Sequence, residues 1–232
     1  MQGHTYAAAA VPARNLRTPS ERPRALGALG IAGLCVLGLA LVWVLAELVP
    51  AIQIRDALLL HDFTLLSQPR VEVVASFLIH LLDPLLFVLW GTALVAGAIA
   101  GGRPRVALAV VAVMGLAPLT SETLKPLLAH PHAQVAGVHI GPASWPSGHA
   151  TAAAALALCV VLVAPVRLRA LAVVLAAIFT AAVGCSLLIL AWHMPSDVLG
   201  GYLVATFWAA LAVAALRAAN RRWPPGRQGA TG

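Results

Sequence analysis

Charge is scarce in this chain. Of 232 residues only 10% are Asp, Glu, Lys or Arg, against an apolar share of 61% and a mean hydropathy of +0.91. A soluble domain carries roughly 25% charged residues, so a water-soluble single domain is excluded. Disorder is excluded by the same figures, because too little polar surface is present to keep so many Leu, Val and Ala residues solvated. Cysteine is scarce as well. Cys35, Cys159 and Cys185 lie in apolar stretches with no CxxC or Cys/His spacing, which supports neither a disulfide framework nor a zinc ribbon and reads as buried, inert thiols. Lysine is almost absent: Lys125 is alone, and the other basic residues are all Arg.

What the chain does have is long apolar runs. A spanning helix needs about 20 mostly apolar residues, and runs of that kind cover about 26–48, 84–101, 106–124, 146–165, 170–192 and 195–216. The expected fold class is therefore an all-α integral membrane protein, a bundle of six transmembrane helices with both termini on one side. The domain division follows: a disordered basic arm over 1–25, the six-helix membrane domain over 26–216 and a basic Pro/Gly-rich tail over 217–232. The first run is too long for a signal-peptide core and reads as a retained span. Residues 51–82 mix apolar positions with Arg55, Asp56, His61, Asp62, Arg70 and Glu72, the pattern of helices lying on a membrane surface.

Orientation follows from the sorting of charge. The arm, the Arg103/Arg105 loop, the Arg167/Arg169 loop and the tail hold 12 Arg, opposed only by Glu21. The other side has Arg55, Arg70 and Lys125 against Glu47, Asp56, Asp62, Glu72, Asp83, Glu122 and Asp197. Arg-rich short loops stay cytoplasmic, so both termini are expected inside and the Lys125 loop outside. The isoelectric point near 10.7 is then a topology signal, and nucleic acid drops out as a partner.

The outer side collects the polar chemistry. Six of the eight His (His61, His130, His132, His139, His149, His193) fall in the outer segments. Three clusters from different junctions meet at one membrane level: Lys125 to His132, Trp145-Pro-Ser-Gly-His149 and Trp192-His193-Met-Pro-Ser-Asp197. His193 and Asp197 stand four apart, one helical face, so the carboxylate can hold Nδ1–H and leave Nε2 free as nucleophile or base. A plainer role is open: His193 anchors a helix end that Asp197 caps. Pro146-Ser147-Gly148-His149 opens a helix whose unpaired N–H groups favour an anion, with Gly148 allowing close approach, Ser147 adding a hydroxyl and His149 placed to protonate a leaving oxygen. Here too a Ser cap followed by an interfacial His is the plainer alternative. Glu122, one turn before Lys125, either pairs with it or lines the entrance.

These motifs resemble those of the type-2 phosphatidic acid phosphatase superfamily: Lys-x6-Arg-Pro, then Pro-Ser-Gly-His, then Ser-Arg-x5-His-x3-Asp. The second is intact as Pro146 to His149, and the third keeps Ser186, His193 and Asp197 in register. Two arginines are absent, His132-Ala133 standing in place of Arg-Pro and Leu187 in place of Arg. The resemblance implies a metal-independent lipid phosphate phosphatase of a bacterial inner membrane, its site on the extracytoplasmic face and no cofactor required. His193 would form a phosphohistidine, Asp197 orient it and His149 act as acid, while Lys125, Ser147, Gly148 and His132 bind phosphate. The implied partners are a lipid phosphate or diphosphate substrate and membrane lipids. Open alternatives are a phosphoryl or phospho-group transferase of the same fold and a non-catalytic lipid-phosphate-binding protein. A metal hydrolase built on His130, His132, His139 and His193 lacks an accompanying HExxH or carboxylate set.

Overall fold

In a computed structural model, described over residues 22–131 and 140–223, the chain is made of helices and the turns between them. They are α1 (Arg22–Leu48), α2 (Pro50–Thr64), α3 (Pro69–His80), α4 (Pro84–Ala100), α5 (Pro104–Leu127), α6 (Gly148–Val163), α7 (Arg169–Ile189) and α8 (Pro195–Arg222), with a 3-10 turn at Val166–Leu168. Five of them open on proline, whose fixed φ suits a first helical turn and whose missing N–H costs nothing there. Helix α1 starts at Arg22, within the expected arm over 1–25, and α8 runs to Arg222, within the expected tail over 217–232.

Helix α6 is the axis of the fold. It is apolar on every side, and Ala150 to Ala155, Ala157 and Cys159 are all buried. It packs against α4, α5, α7 and α8, while α1 lies along α8 and α3 lies along α7. Alanine dominates these contacts because small side chains let backbones approach closely where burial of apolar surface gives no net drive between helices. Four helices have the length and apolarity to cross a membrane: α1 from Gly27, α5, α7 with its preceding turn, and α8. Helices α3 and α4, bent by 56° at their junction, make a fifth if counted together. Helix α6 has 16 residues, about 24 Å at ~1.5 Å per residue, and is the short one. Residues 51–82, expected as surface helices, form α2 and α3, which pack on α7.

One sequence expectation changes. Cys35 and Cys159 are buried, but Cys185 is exposed, because the adjacent Gly184 and Ser186 take the inward positions of α7. Of the tryptophans beside the two histidines, Trp145 is 3% exposed and packs on Gly200, whereas Trp192 is 47% exposed.

Packing at the head of α8 fixes the geometry of the functional end. A Cβ on Gly201 would stand 2.6 Å from the Ser147 carbonyl oxygen and 2.9 Å from the Thr151 nitrogen; one on Gly200 would stand 2.8 Å from the Trp145 indole. Glycine at 201 thus lets α8 press against the backbone of the Pro-Ser-Gly-His turn. Gly201→Ala should overpack this contact, at a cost of roughly 1–3 kcal/mol, read as a lower thermal unfolding midpoint in detergent. Gly97→Ala, where a Cβ meets nothing within 4 Å, should leave the midpoint unchanged or raise it.

Candidate active site

The Pro-Ser-Gly-His turn is locked by its backbone. Ser147 is the N-cap of α6, extended at φ −64° and ψ 121°, and its Oγ accepts from Ala150 N at 3.3 Å. Thr151 Oγ1 donates to the Ser147 carbonyl at 2.7 Å, and Ser121 Oγ of α5 donates to the Pro146 carbonyl at 3.0 Å. The Ser147 N–H donates to the Asp197 carbonyl at 2.9 Å. Ser147 therefore fills the plainer capping role, fully buried, with its N–H committed elsewhere. The N–H groups of Gly148 and His149 are left without a hydrogen-bond partner among the described residues, at the positive end of α6.

The third motif is built around Asp197. His193 Nδ1 lies 3.3 Å from Asp197 Oδ2, and the same oxygen accepts the Met194 N–H at 2.9 Å. The carboxylate is wholly buried, so orienting His193 and capping α8 are one arrangement. The second carboxylate in this corner was not legible in the sequence. Asp56 of α2 accepts from Ser196 N at 3.2 Å and from Ser196 Oγ at 2.6 Å, tying α2 to the first turn of α8 between His193 and Asp197.

The two histidines and Lys125 converge. The His149 ring meets Trp192 edge to face at 5.6 Å between centroids, and its titratable neighbours are His193, Lys125, Asp83 and Glu122. Lys125 Nζ pairs with Glu122 Oε1 at 2.6 Å, resolving Glu122 as its ion-pair partner. This pair sits directly on Gly148, where a Cβ would stand 2.7 Å from Glu122 Oε1 and 3.3 Å from Lys125 Nζ. Glycine at 148 thus keeps open the space where a carboxylate now rests on the start of α6. An anion entering from outside would meet the same donors.

Not every expected residue arrives. His132 and His139 lie outside the described residues. His130 has its Nδ1 3.9 Å from the buried Glu47 Oε2. Ser186 Oγ turns back to the Ala182 carbonyl at 2.8 Å, and Leu187, at the position of the absent arginine, is fully buried in a cluster with Ala150, Ala153, Met194 and Val198. Among the described residues no three of His, Cys, Asp and Glu converge as metal ligands. Asp56, Asp83 and Glu47 went unnoticed as site neighbours because each acts across the fold: a lone carboxylate in a helix has no spacing signal.

The family model of the PAP2 superfamily matches residues 106–221, half of the chain, including all three clusters. The chain belongs to the PAP2 superfamily. Its fold is that of a solved PAP2-type enzyme: the crystal structure of the first transmembrane PAP2-type phosphatidylglycerolphosphate phosphatase, from Bacillus subtilis, superposes with a TM-score of 0.64. That match covers 84% of this chain and 98% of the other at 20% identity. No curated protein sequence matches the chain. Asp56, in α2, and Asp83, the N-cap of α4, lie outside the PAP2 match.

The Asp56 contact can be tested by stability alone. Asp56→Ala strands the Ser196 N–H and hydroxyl in a half-buried corner, a cost of about 1–3 kcal/mol that should appear as a lower unfolding midpoint. Asp56→Asn keeps an acceptor for the Ser196 N–H and should lose less.

Proposed function

We propose that the chain is a membrane phosphatase that hydrolyses a lipid phosphate or diphosphate monoester through a phosphohistidine. The observation that carries this reading is the meeting of a carboxylate-oriented His193, His149 and Lys125 at the start of α6. PAP2 membership and the name of the Bacillus subtilis neighbour support the substrate class.

In the first step His193 Nε2 attacks phosphorus in line. The P–O bond to the leaving group breaks, and His149 gives that oxygen its proton. Asp197 meets the positive charge that develops on the His193 ring. The phosphoryl oxygens are held by Lys125 and by the Gly148 and His149 N–H groups, a preorganised anion site of the kind that contributes most where water is excluded. Ser147 supports this site as its buried cap, and His132 of the following loop is a further cationic candidate when protonated. In the second step water attacks the phosphohistidine, His149 takes a proton from it, and inorganic phosphate leaves with His193 restored. These residues supply the charge compensation themselves, so the scheme calls for no metal ion.

The same reading gives the protein six crossings, with α4 and α6 as its short spans and both termini in the cytoplasm of a bacterial inner membrane. The site then faces the extracytoplasmic side, where a lipid enters between helices and brings its phosphate to the exposed Trp192 rim. One observation favours a second reading, a lipid-phosphate-binding protein without turnover. Leu187 is buried where an arginine would grip phosphate, and Lys125, which supplies a cation, is already paired with Glu122.

Phosphate release from polyprenyl and glycerolipid phosphates by the detergent-purified chain, with EDTA present, decides between them. The expected result is release by the wild type, a loss of about 10²–10⁴-fold in His149→Ala and reduction to background in His193→Ala. Binding of lipid phosphate with no release would establish the second reading. Release of a phospho-group only onto an added alcohol would mark a transferase. Glu122→Gln removes the internal competitor for Lys125, and KM should fall by up to about fivefold with kcat little changed.

A further inference from the structure

The position over Gly148 that the proposed function gives to phosphate already has an occupant. Lys125 Nζ and Glu122 Oε1 are 2.6 Å apart and both crowd the space over Gly148, the carboxylate oxygen more closely than the ammonium. A phosphate that is to meet Lys125 there takes the place of that oxygen. Binding is therefore an exchange, in which one anion leaves the Lys125 ammonium as another arrives. What becomes of Glu122 decides which phosphate esters the site favours.

An ester with no cation of its own leaves Glu122 stripped of its partner beside a phosphate group, a like-charge contact that weakens binding. Guanidinium groups at the two motif positions would absorb that repulsion. Leu187 is buried at one of them, and His132-Ala133 stands in place of Arg-Pro at the other. The titratable neighbours of His149 are His193, Lys125, Asp83 and Glu122, one permanent cation against two carboxylates. The segments sorted to the Lys125 side of the sequence repeat the imbalance, with Arg55, Arg70 and Lys125 against seven acids, and Arg70 lines a separate groove between α3 and α7.

An ester that brings its own ammonium group loses nothing in the exchange. Its phosphate takes Lys125, its ammonium takes Glu122, and one ion pair becomes two. The side chain of Lys125 is 22% exposed and that of Glu122 59%, so the carboxylate is the member that an arriving ligand meets first. Because Lys125 and Glu122 stand in contact, the two charges of the ligand must lie close together, which is the reach of an amine two carbons from the ester oxygen. We propose that Glu122 is a specificity-determining residue, and that the substrate class is a long-chain phosphate monoester carrying an ammonium group beside its phosphate. The assignment of a substrate rests on the phosphatase reading of the same site. Hydrolysis there gives inorganic phosphate and an amino alcohol whose oxygen has taken the His149 proton.

Two probes that differ by one amine test this: hexadecyl phosphate and 2-aminohexadecyl phosphate, at pH 8, where an ordinary histidine is neutral. Equilibrium binding to the full chain carrying His193→Ala, in detergent micelles, reads recognition without turnover, and phosphate release by the wild type reads turnover. The amine should tighten binding by about two- to fivefold, the range of an exposed ion pair. Adding Glu122→Gln should tighten hexadecyl phosphate, whose internal competitor is gone, and leave the amine probe unimproved, so that the preference falls to half or less. Adding instead Glu72→Gln, which removes a carboxylate of α3 bonded to Ser67, should keep the preference. A preference below twofold in the His193→Ala chain overturns the proposal. Equal tightening of both probes by Glu122→Gln also overturns it, since the carboxylate is then a plain competitor for Lys125. An equal loss of preference in Glu72→Gln overturns it in favour of a diffuse surface effect. Binding with the stated preference but no phosphate release by the wild type would sink the phosphatase reading and keep Glu122 as the selector of the ligand. Phosphate release from both probes with no preference in binding would do the reverse.

Discussion

The bond from the Ser147 N–H to the Asp197 carbonyl is the constraint on which the functional end depends. It joins the start of α6 to the start of α8, and those two helix starts carry His149 and His193. Glycine at 201 makes the bond reachable, since any side chain there would push the Ser147 carbonyl away. Thr151 and Ser121 then pin the neighbouring carbonyls from α6 and α5. The Pro-Ser-Gly-His turn is therefore shaped chiefly by backbone and hydroxyl contacts, which leaves its last two N–H groups without a hydrogen-bond partner among the described residues.

The remaining carboxylates divide between two tasks. Asp197 is spent on holding His193 and on closing the first turn of α8, both through one oxygen. Asp56 holds the residue in between. In the proposed mechanism the imidazole that accepts a phosphoryl group needs its ring plane set before substrate arrives, because orientation is cheaper to fix in the fold than to recover at the moment of reaction. Two carboxylates acting on one helical turn achieve that. The arrangement also explains why α2 belongs to the site although no motif falls within it.

Much of this was legible in the chain itself. The long apolar runs announced α1, α5, α7 and α8, because that signal is local and needs only hydropathy. The pairing of His193 with Asp197 followed from helical spacing in the same way. What escaped notice is uniformly non-local. Asp56 reaches Ser196 across 140 positions of sequence, and Asp83 acts on His149 from the head of α4. Trp145 is buried because Gly200 opposite it leaves room for the indole, a contact that no local signal announces. Cys185 looked buried because its surroundings are apolar, but on a helix the outward face of an apolar segment is equally apolar. Hydropathy does not distinguish a side chain facing protein from one facing lipid.

The distribution of charge leads further than either motif or packing. With so few charged residues, the fold sorts them to its two ends: arginines hold the closing turns of α6 and α8 at one, while Asp56, Asp83, Glu122 and Asp197 gather near the histidines at the other. An anion approaching that second end meets an acidic field relieved, among the described residues near His149, by Lys125, itself bound to Glu122. Coulomb attraction over distance therefore gives little capture, and short-range donors must supply it. The donors available are the Gly148 and His149 N–H groups, whose strength rises as water leaves and whose direction α6 fixes. Leu187 sharpens the point. A buried leucine in place of a guanidinium gives the core one more packed side chain and removes the long-range term, so under the proposed function recognition rests on an anion settling deeply enough to touch the backbone.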